Sequence, residues 1–257
     1  DRVDAESLFH MDESEASRKA QFSIAQKALR VRKVGTDLIT LAGGQFIHPI
    51  KAHIGGVSGG IPREAAEQML KELDEMLPVA CELFNTYWDM SMVMGERIGS
   101  WGDDEPTYYI SSTTSVKPKL NSGHLRILSP DGEEKEHFTP EEFEQRIQFE
   151  QTDYSYAGKT SYQGQILRAN SLARINITSS FATPIADGYL ERFRNNFGSP
   201  AHAIMLFDLC RGIELVYAME RTIELLSEDL SSGETVVGYQ VKDGIGYGLV
   251  EAPRGPL

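Results

Sequence analysis

The stretch that decides the architecture reads IPREAAEQMLKELDEMLPVACELFNTYW, residues 61–88. From Pro62 onward the apolar residues Ala65, Ala66, Met69, Leu70, Leu73, Met76 and Leu77 recur at three- and four-residue steps, which puts them on one face of an α-helix. Pro78 then removes a backbone donor, and beyond it the stripe resumes through Leu83, Phe84, Tyr87, Met94 and Ile98. The pattern predicts a helix pair or one helix kinked at Pro78.

A second helical pattern lies upstream. It opens near Ser14, carries Ala20, Ile24, Ala28, Val31, Val34 and Leu38, and stops at Gly43 and Gly44. Between the two helices runs QFIHPIKAHIGGVSGG (45–60), so dense in glycine and proline that it reads as loop. Downstream, the period changes to two between Thr107 and Phe138. There SPDG at Ser129 to Gly132 divides HLRIL from KEHF, the signal of a hairpin in a small antiparallel sheet. Thr139, Pro140 and Glu142 spell a capping box with proline at the first helical position. Thr183 with Pro184 begins another helix. Ser199 with Pro200 begins a last one, nearly thirty residues long, on the stripe Met205, Leu209, Ile213, Val216, Met219, Ile223 and Leu226. The strand-like YGLVEA follows. The expected class is α+β and helix-dominated, with long antiparallel helices and a small inserted antiparallel sheet. The expected organisation is a helical part at 1–100 with its glycine-rich loop at 43–60, a small β insertion at 101–138, and a helical part at 139–257 ending in the EAPRG segment.

Composition removes several functions. The 257 residues are 40% hydrophobic and 25% charged, the balance of a globular protein. The net charge of −13 is spread along the chain, which argues against a nucleic-acid or anionic-membrane partner. No run of eighteen apolar residues occurs, so no direct membrane insertion is expected. The first residues carry neither a secretory signal pattern nor an initiating Met. Two cysteines, Cys81 and Cys210, both in apolar-periodic stretches, form no disulfide framework or C-x-x-C knuckle and read as buried small hydrophobes.

Few residues suggest chemistry. His48 and His53 stand five apart in the glycine-rich loop without an evident third metal ligand. IGGVSGG lacks both a preceding strand and a following Lys-Ser/Thr, so it does not read as a phosphate cradle. The acidic stretches WGDDE and DGEEKE read as solvated loop carboxylates. No nucleophile elbow or Ser-His-Asp set is present. What remains is Arg254, with Pro253 stiffening the backbone before it and Gly255 relieving crowding after it.

Taken in order, GGQFIHPIKAHIGGVSGG, DYSYAGK, LARIN, FATPIADGYLERFRNNFG, RGIELVYAMERTIELL and GLVEAPRG resemble the large subunit of nickel–iron hydrogenases, in the cytoplasmic multi-subunit groups that pass electrons to nicotinamide, deazaflavin or heterodisulfide partners. The resemblance implies reversible heterolytic cleavage of H2 in the whole protein. It implies a nickel–iron centre with cyanide and carbon monoxide ligands, a small subunit carrying iron–sulfur clusters, further electron-transfer subunits and a cytoplasmic location. Family members hold the metals on two C-x-x-C pairs near their termini. This chain has neither, so it looks like the interior of such a subunit, inactive and binding no cofactor by itself. The resemblance makes Arg254 the guanidinium that faces the open position between nickel and iron and polarises dihydrogen, with Pro253 and Ala252 packed round the iron's ligands. His48 matches a stretch on the side of the partner subunit, which implies a structural or partner-facing role. Where the family usually has Gly-Pro ahead of LAR, this chain has Asn170 and Ser171. Two alternatives share the resemblance: the metal-free quinone-site subunit of a complex I-like enzyme, and a short assembly or interaction paralogue. Arginine in EAPRG and the IHP stretch favour the hydrogenase.

Overall fold

A computed structural model describes residues 15–101, 107–113, 118, 120–121 and 123–257. In chain order the elements are α1 (Glu15–Gly43), β1 (Ala52–His53), β2 (Gly56–Val57), α2 (Arg63–Val93), α3 (Glu96–Ser100), β3 (Tyr108–Thr113), β4 (His124–Leu128), β5 (Glu134–Phe138), α4 (Phe143–Arg146), β6 (Gln148–Thr152), β7 (Ser155–Tyr162), β8 (Gln165–Arg168), α5 (Ser171–Ile177), α6 (Pro184–Phe197), α7 (Phe207–Leu226), β9 (Glu251–Ala252) and β10 (Gly255–Pro256). The chain folds as two compact units, one from 1–93 with 215–244 and the other from 94–214 with 245–257.

The first unit is built on the apolar stripe that follows Pro62. Ala66, Met69, Leu73, Met76, Ala80, Phe84 and Trp88 are buried along a single 31-residue α2 that passes through Pro78 without ending, so the one-helix alternative holds. Val31 and Val34 of α1 and Met219 and Leu226 of α7 join α2 in one apolar cluster. Each large side chain buried there contributes about 1.5–3 kcal/mol. At the end of α1, Lys51 donates through Nζ to the Leu41 carbonyl at 2.9 Å, capping the helix with a cation. The glycine-rich loop then forms the small β1–β2 hairpin. A side chain on Gly56, at φ 153, would meet the Thr235 carbonyl oxygen at 2.0 Å, and the Val57 N–H donates to that same oxygen at 2.9 Å. The glycines of IGGVSGG therefore let a second stretch of backbone pack against the loop.

The second unit carries a six-stranded sheet in the order β5-β4-β3-β8-β7-β6. The SPDG hairpin forms as expected, with the Gly132 N–H donating to the Ser129 carbonyl at 3.0 Å. Two expectations need correction. The sheet is larger than the β insertion read at 101–138, because β6 to β8 occupy 148–168, and it is mixed, because β3 and β8 run parallel. Those strands escaped detection because β6 is exposed along most of its length and β7 reads SYAGKTSY, with no apolar alternation to mark a buried face. The last helix begins at Phe207, after a 3₁₀ turn, and spans 20 residues. It cannot start at Pro200, because the Asn176 side chain donates to the Ala201 carbonyl at 2.8 Å and accepts the Ala201 N–H at 2.9 Å, holding that backbone out of helical geometry. The Thr139 box closes only one 3₁₀ turn and the four-residue α4, with the Thr139 N–H donating to the Glu142 carboxylate at 3.1 Å.

Candidate functional site

Every residue of α5, SLARINI, is buried, including an arginine. A charge at such a depth persists only when it is paired and all its donors are satisfied. The side chain of Arg174 meets both conditions. Its Nε donates to Glu214 Oε1. Nη1 donates to Glu251 Oε1 at 2.8 Å and to the Ala252 carbonyl at 3.0 Å. Nη2 donates to Glu214 Oε2 at 3.0 Å, Ser171 Oγ at 3.1 Å and the Pro253 carbonyl at 3.2 Å. All five N–H donors of a guanidinium are thereby used.

Both carboxylates lie downstream of this arginine in the sequence, 40 and 77 residues away. Glu214 lies in the first half of α7 and also accepts from the Ser171 hydroxyl. Glu251 opens β9; its side chain is 0% exposed, and its second oxygen accepts the Ser112 backbone N–H of β3 at 2.7 Å. Burial pushes the Glu251 carboxyl above its ordinary pKa, against the opposing effects of the Ser112 N–H and of Arg174. Burial also works against the charge on Arg174, but the two carboxylates outweigh it and hold the guanidinium pKa above its usual value. Glu251 thus remains raised beside a guanidinium chiefly because it is buried, with a smaller contribution from the nearby Glu214 charge.

Directly above this cluster the chain turns back on itself. Ala252 pairs with Gly255 and Glu251 with Pro256, and the Val250 and Leu257 amides exchange hydrogen bonds of 3.0 and 2.8 Å, so Pro253 and Arg254 form the tip of a tight hairpin. The Glu251 N–H donates to the Leu120 carbonyl at 2.8 Å, fixing the hairpin on a second side. Gly255, at φ 135, lies where a Cβ would come 2.4 Å from that of Ala169. Asn170 next to it adopts φ 82 and accepts the Leu172 N–H on its side-chain oxygen at 3.0 Å. Asparagine is one of the few residues besides glycine that tolerates positive φ, so the departure from Gly-Pro at 170–171 keeps the turn. It also puts the Ser171 hydroxyl between Arg174 and Glu214. At the other end of α5, Arg194 donates to the carbonyls of Ile175 (3.1 Å), Thr178 and Ser179 (3.2 Å), and burial lowers its pKa.

The tip carries the residues the sequence singled out. Arg254 and Pro253 are exposed and Ala252 is half-buried. Arg254 makes no ion pair with the described residues, in contrast to the saturated Arg174. His48, in the first unit, is exposed at φ 57, and its carbonyl accepts from Gln45 Nε2 at 2.5 Å. Cys210 is fully buried, with its thiol pushed well above its ordinary pKa by burial, whereas Cys81 is only partly buried, so the expectation of two buried cysteines holds for one. Among the described residues no three His, Cys, Asp or Glu side chains group to hold a metal ion. Of WGDDE, residues 102–105 lie outside the described residues. The glutamates of DGEEKE pair instead with Lys135, Arg126 and Arg146, and Asp131 accepts from the Ser129 hydroxyl. Arg174, Glu214 and Glu251 were not singled out as site residues. The available signal was a lone charge inside each of three otherwise apolar runs, LARIN, GIELV and GLVEA.

No family model matches the chain. It is 32% identical over 240 residues to a subunit of the vhu F420-non-reducing hydrogenase of Methanococcus voltae, covering 91% of this chain and 57% of that protein. It is 26% identical over 275 residues to the beta subunit of the NAD-reducing hydrogenase HoxS of Cupriavidus necator, covering 98% of this chain and 56% of that one. The fold superposes on a chain of an NAD+-reducing [NiFe]-hydrogenase in the H2-reduced state with a TM-score of 0.84 at 20% identity, over 98% of this chain and 59% of the other. This chain therefore spans a little over half the length of the relatives it matches. The buried arginine hub and the hairpin above it thus belong to a chain that is similar in sequence to subunits of F420-non-reducing and NAD-reducing hydrogenases and that shares its fold with a [NiFe]-hydrogenase chain.

Proposed function

We propose that this chain is the interior part of the catalytic large subunit of a nickel–iron hydrogenase, and that the whole protein cleaves H2 reversibly and heterolytically into protons and electrons. The residues present do not fit the metal centre itself. Such centres need several thiolates, and of the two cysteines one is fully buried and the two lie in separate units. What the chain supplies is the wall of the site. Arg254 is the donor that faces the reacting dihydrogen, and Pro253 and Ala252 shape the surface beside it.

One observation carries this reading. An exposed guanidinium without an ion-pair partner among the described residues sits on a two-residue tip, and the carbonyls of Ala252 and Pro253, the two residues before Arg254, are held from beneath. A donor carried on backbone that is held in advance needs less reorganisation as charge develops. With a pKa above 12, an arginine suits polarisation better than the role of base. The remaining elements follow the same reading: a small subunit with iron–sulfur clusters, further electron-transfer subunits and a cytoplasmic location. His48, exposed and with its loop braced by Gln45, fits a structural or partner-facing role. The relatives named above are hydrogenase subunits, which favours this function over a quinone-site or assembly role.

The test is Arg254→Lys in the assembled, metal-loaded parent enzyme, assayed by H2 uptake with an artificial dye. Lysine keeps the charge but loses the planar fork, so uptake should fall roughly 10²-fold with nickel content unchanged. Uptake at the wild-type rate would overturn the assignment of Arg254.

A further inference from the structure

We propose that Arg174 is a positioning residue: held by Glu214 and Glu251, its buried guanidinium fixes the backbone of the Pro253–Arg254 turn and thereby sets where the Arg254 side chain points. This rests on the reading of Arg254 given above.

Three features carry the proposal. First, Arg174 binds the backbone that leads into and forms the tip, at the carbonyls of Ala252 (3.0 Å) and Pro253 (3.2 Å), the two residues that immediately precede Arg254. A two-residue turn has few internal hydrogen bonds of its own, and both tip residues are exposed. Second, the guanidinium cannot shift without breaking its pairing, because α7 grips it on two nitrogens through Glu214 and β9 grips it through Glu251. Glu251 is in turn tied to the sheet through the Ser112 N–H at 2.7 Å. The position of the tip is therefore referenced to α5, α7 and β3 together. Third, only arginine fits the place. Six acceptors surround it, and a lysine ammonium offers three donors from a single nitrogen, too few and too compact to bridge the carboxylates and the tip carbonyls at once.

A misplacement of about 1 Å in a group that orients a reaction costs about 10² in rate, so loosening this turn should register in turnover even though Arg174 touches neither substrate nor metal. An arginine that merely stabilised the fold would have a different signature. The two are separated by asking whether Arg174 acts through Arg254.

The experiment uses the assembled parent enzyme and four variants: Arg174→Lys, Glu214→Gln, Arg254→Lys and the Arg174→Lys/Arg254→Lys double. Hydrogen–deuterium exchange is followed by mass spectrometry on peptides covering 249–257 and, as an internal control, 124–128. H2 uptake is measured alongside nickel content. In Arg174→Lys, exchange at 249–257 should rise at least tenfold while 124–128 is unchanged, and uptake should fall at least tenfold. Glu214→Gln, which leaves the arginine in place but weakens one grip, should show smaller changes in the same direction and serves if Arg174→Lys does not assemble. The double variant should be no slower than Arg254→Lys alone, because a residue that acts only through Arg254 has nothing further to lose.

Unchanged exchange at 249–257 in both hub variants would overturn the proposal. So would losses of uptake that multiply in the double variant, which would mark Arg174 as a purely structural residue. Should Arg254→Lys turn over at the wild-type rate, the reading of Arg254 fails, and the link from hub to turnover fails with it. The exchange data then decide separately whether the hub holds the turn.

Discussion

Replacing Gly255 with alanine should reveal how tightly the hairpin is seated. At φ 135 the new side chain is strained whatever the space around it, and such backbone strain costs about 1–3 kcal/mol. The Cβ would also stand 2.4 Å from that of Ala169, where carbon atoms ordinarily approach to about 3.5–4.0 Å. Overpacking of this kind costs about 1–3 kcal/mol more. Undocking the hairpin offers no cheap escape, since it abandons the bonds from Arg174 to Glu251, Ala252 and Pro253 and leaves a buried guanidinium short of acceptors. Gly255→Ala should therefore cost roughly 2–6 kcal/mol in all. The two components can be separated with Ala169→Gly, which removes the opposing methyl. In the double variant the steric part should be recovered and the backbone part should remain, giving a favourable coupling of about 1–3 kcal/mol between the two sites. Equilibrium urea unfolding of the four proteins, followed by far-UV circular dichroism, measures all the terms. A Gly255→Ala protein within about 0.5 kcal/mol of wild type, or a double variant with no recovery, would refute the close seating on Ala169.

Two further predictions concern ionisable groups. Asp229 accepts hydrogen bonds from the side chains and amides of Ser231 and Ser232, which hold its carboxyl below the usual aspartate range. A depressed folded pKa contributes stability above the unfolded value, which is lost as the pH falls through and below it. The melting temperature should accordingly decline on acidification below about pH 4, and Asp229→Asn should flatten part of that decline; identical acid limbs would contradict it. Burial keeps the Cys210 thiol protonated, so in the 257-residue chain iodoacetamide at pH 8 should modify Cys81 and spare Cys210 until urea is added, as peptide mapping would show. Early alkylation of Cys210 would mean that its surroundings open.

Much of the framework could be read along the chain because it rests on local periodicity. The α2 stripe and the α1 stripe each declare one buried face, and SPDG supplies the turn that β4 and β5 require. The errors share a different cause. The start of α7 is set by Asn176, 25 residues from the backbone it holds, and the parallel pairing of β3 with β8 joins segments that no local turn connects. The candidate site divides in the same way. Arg254 was visible through its flanking Pro253 and Gly255, whereas the arginine that holds its turn has partners 40 and 77 residues away. Spacing along a helix or strand says nothing about such pairs. Each did stand inside a stretch that resembled the family, and the fold brings LARIN, RGIEL and GLVEA to a single point.

That this chain is the interior of a metal-bearing large subunit is tested most directly by elemental analysis, applied to the full parent polypeptide and to the 257-residue chain expressed alone. After gel filtration, the parent should carry nickel and iron in equal, stoichiometric amounts, and the isolated chain should carry neither, since its thiolates cannot form a ligand set. Stoichiometric nickel on the isolated chain, or a correctly assembled parent without nickel, would contradict that placement.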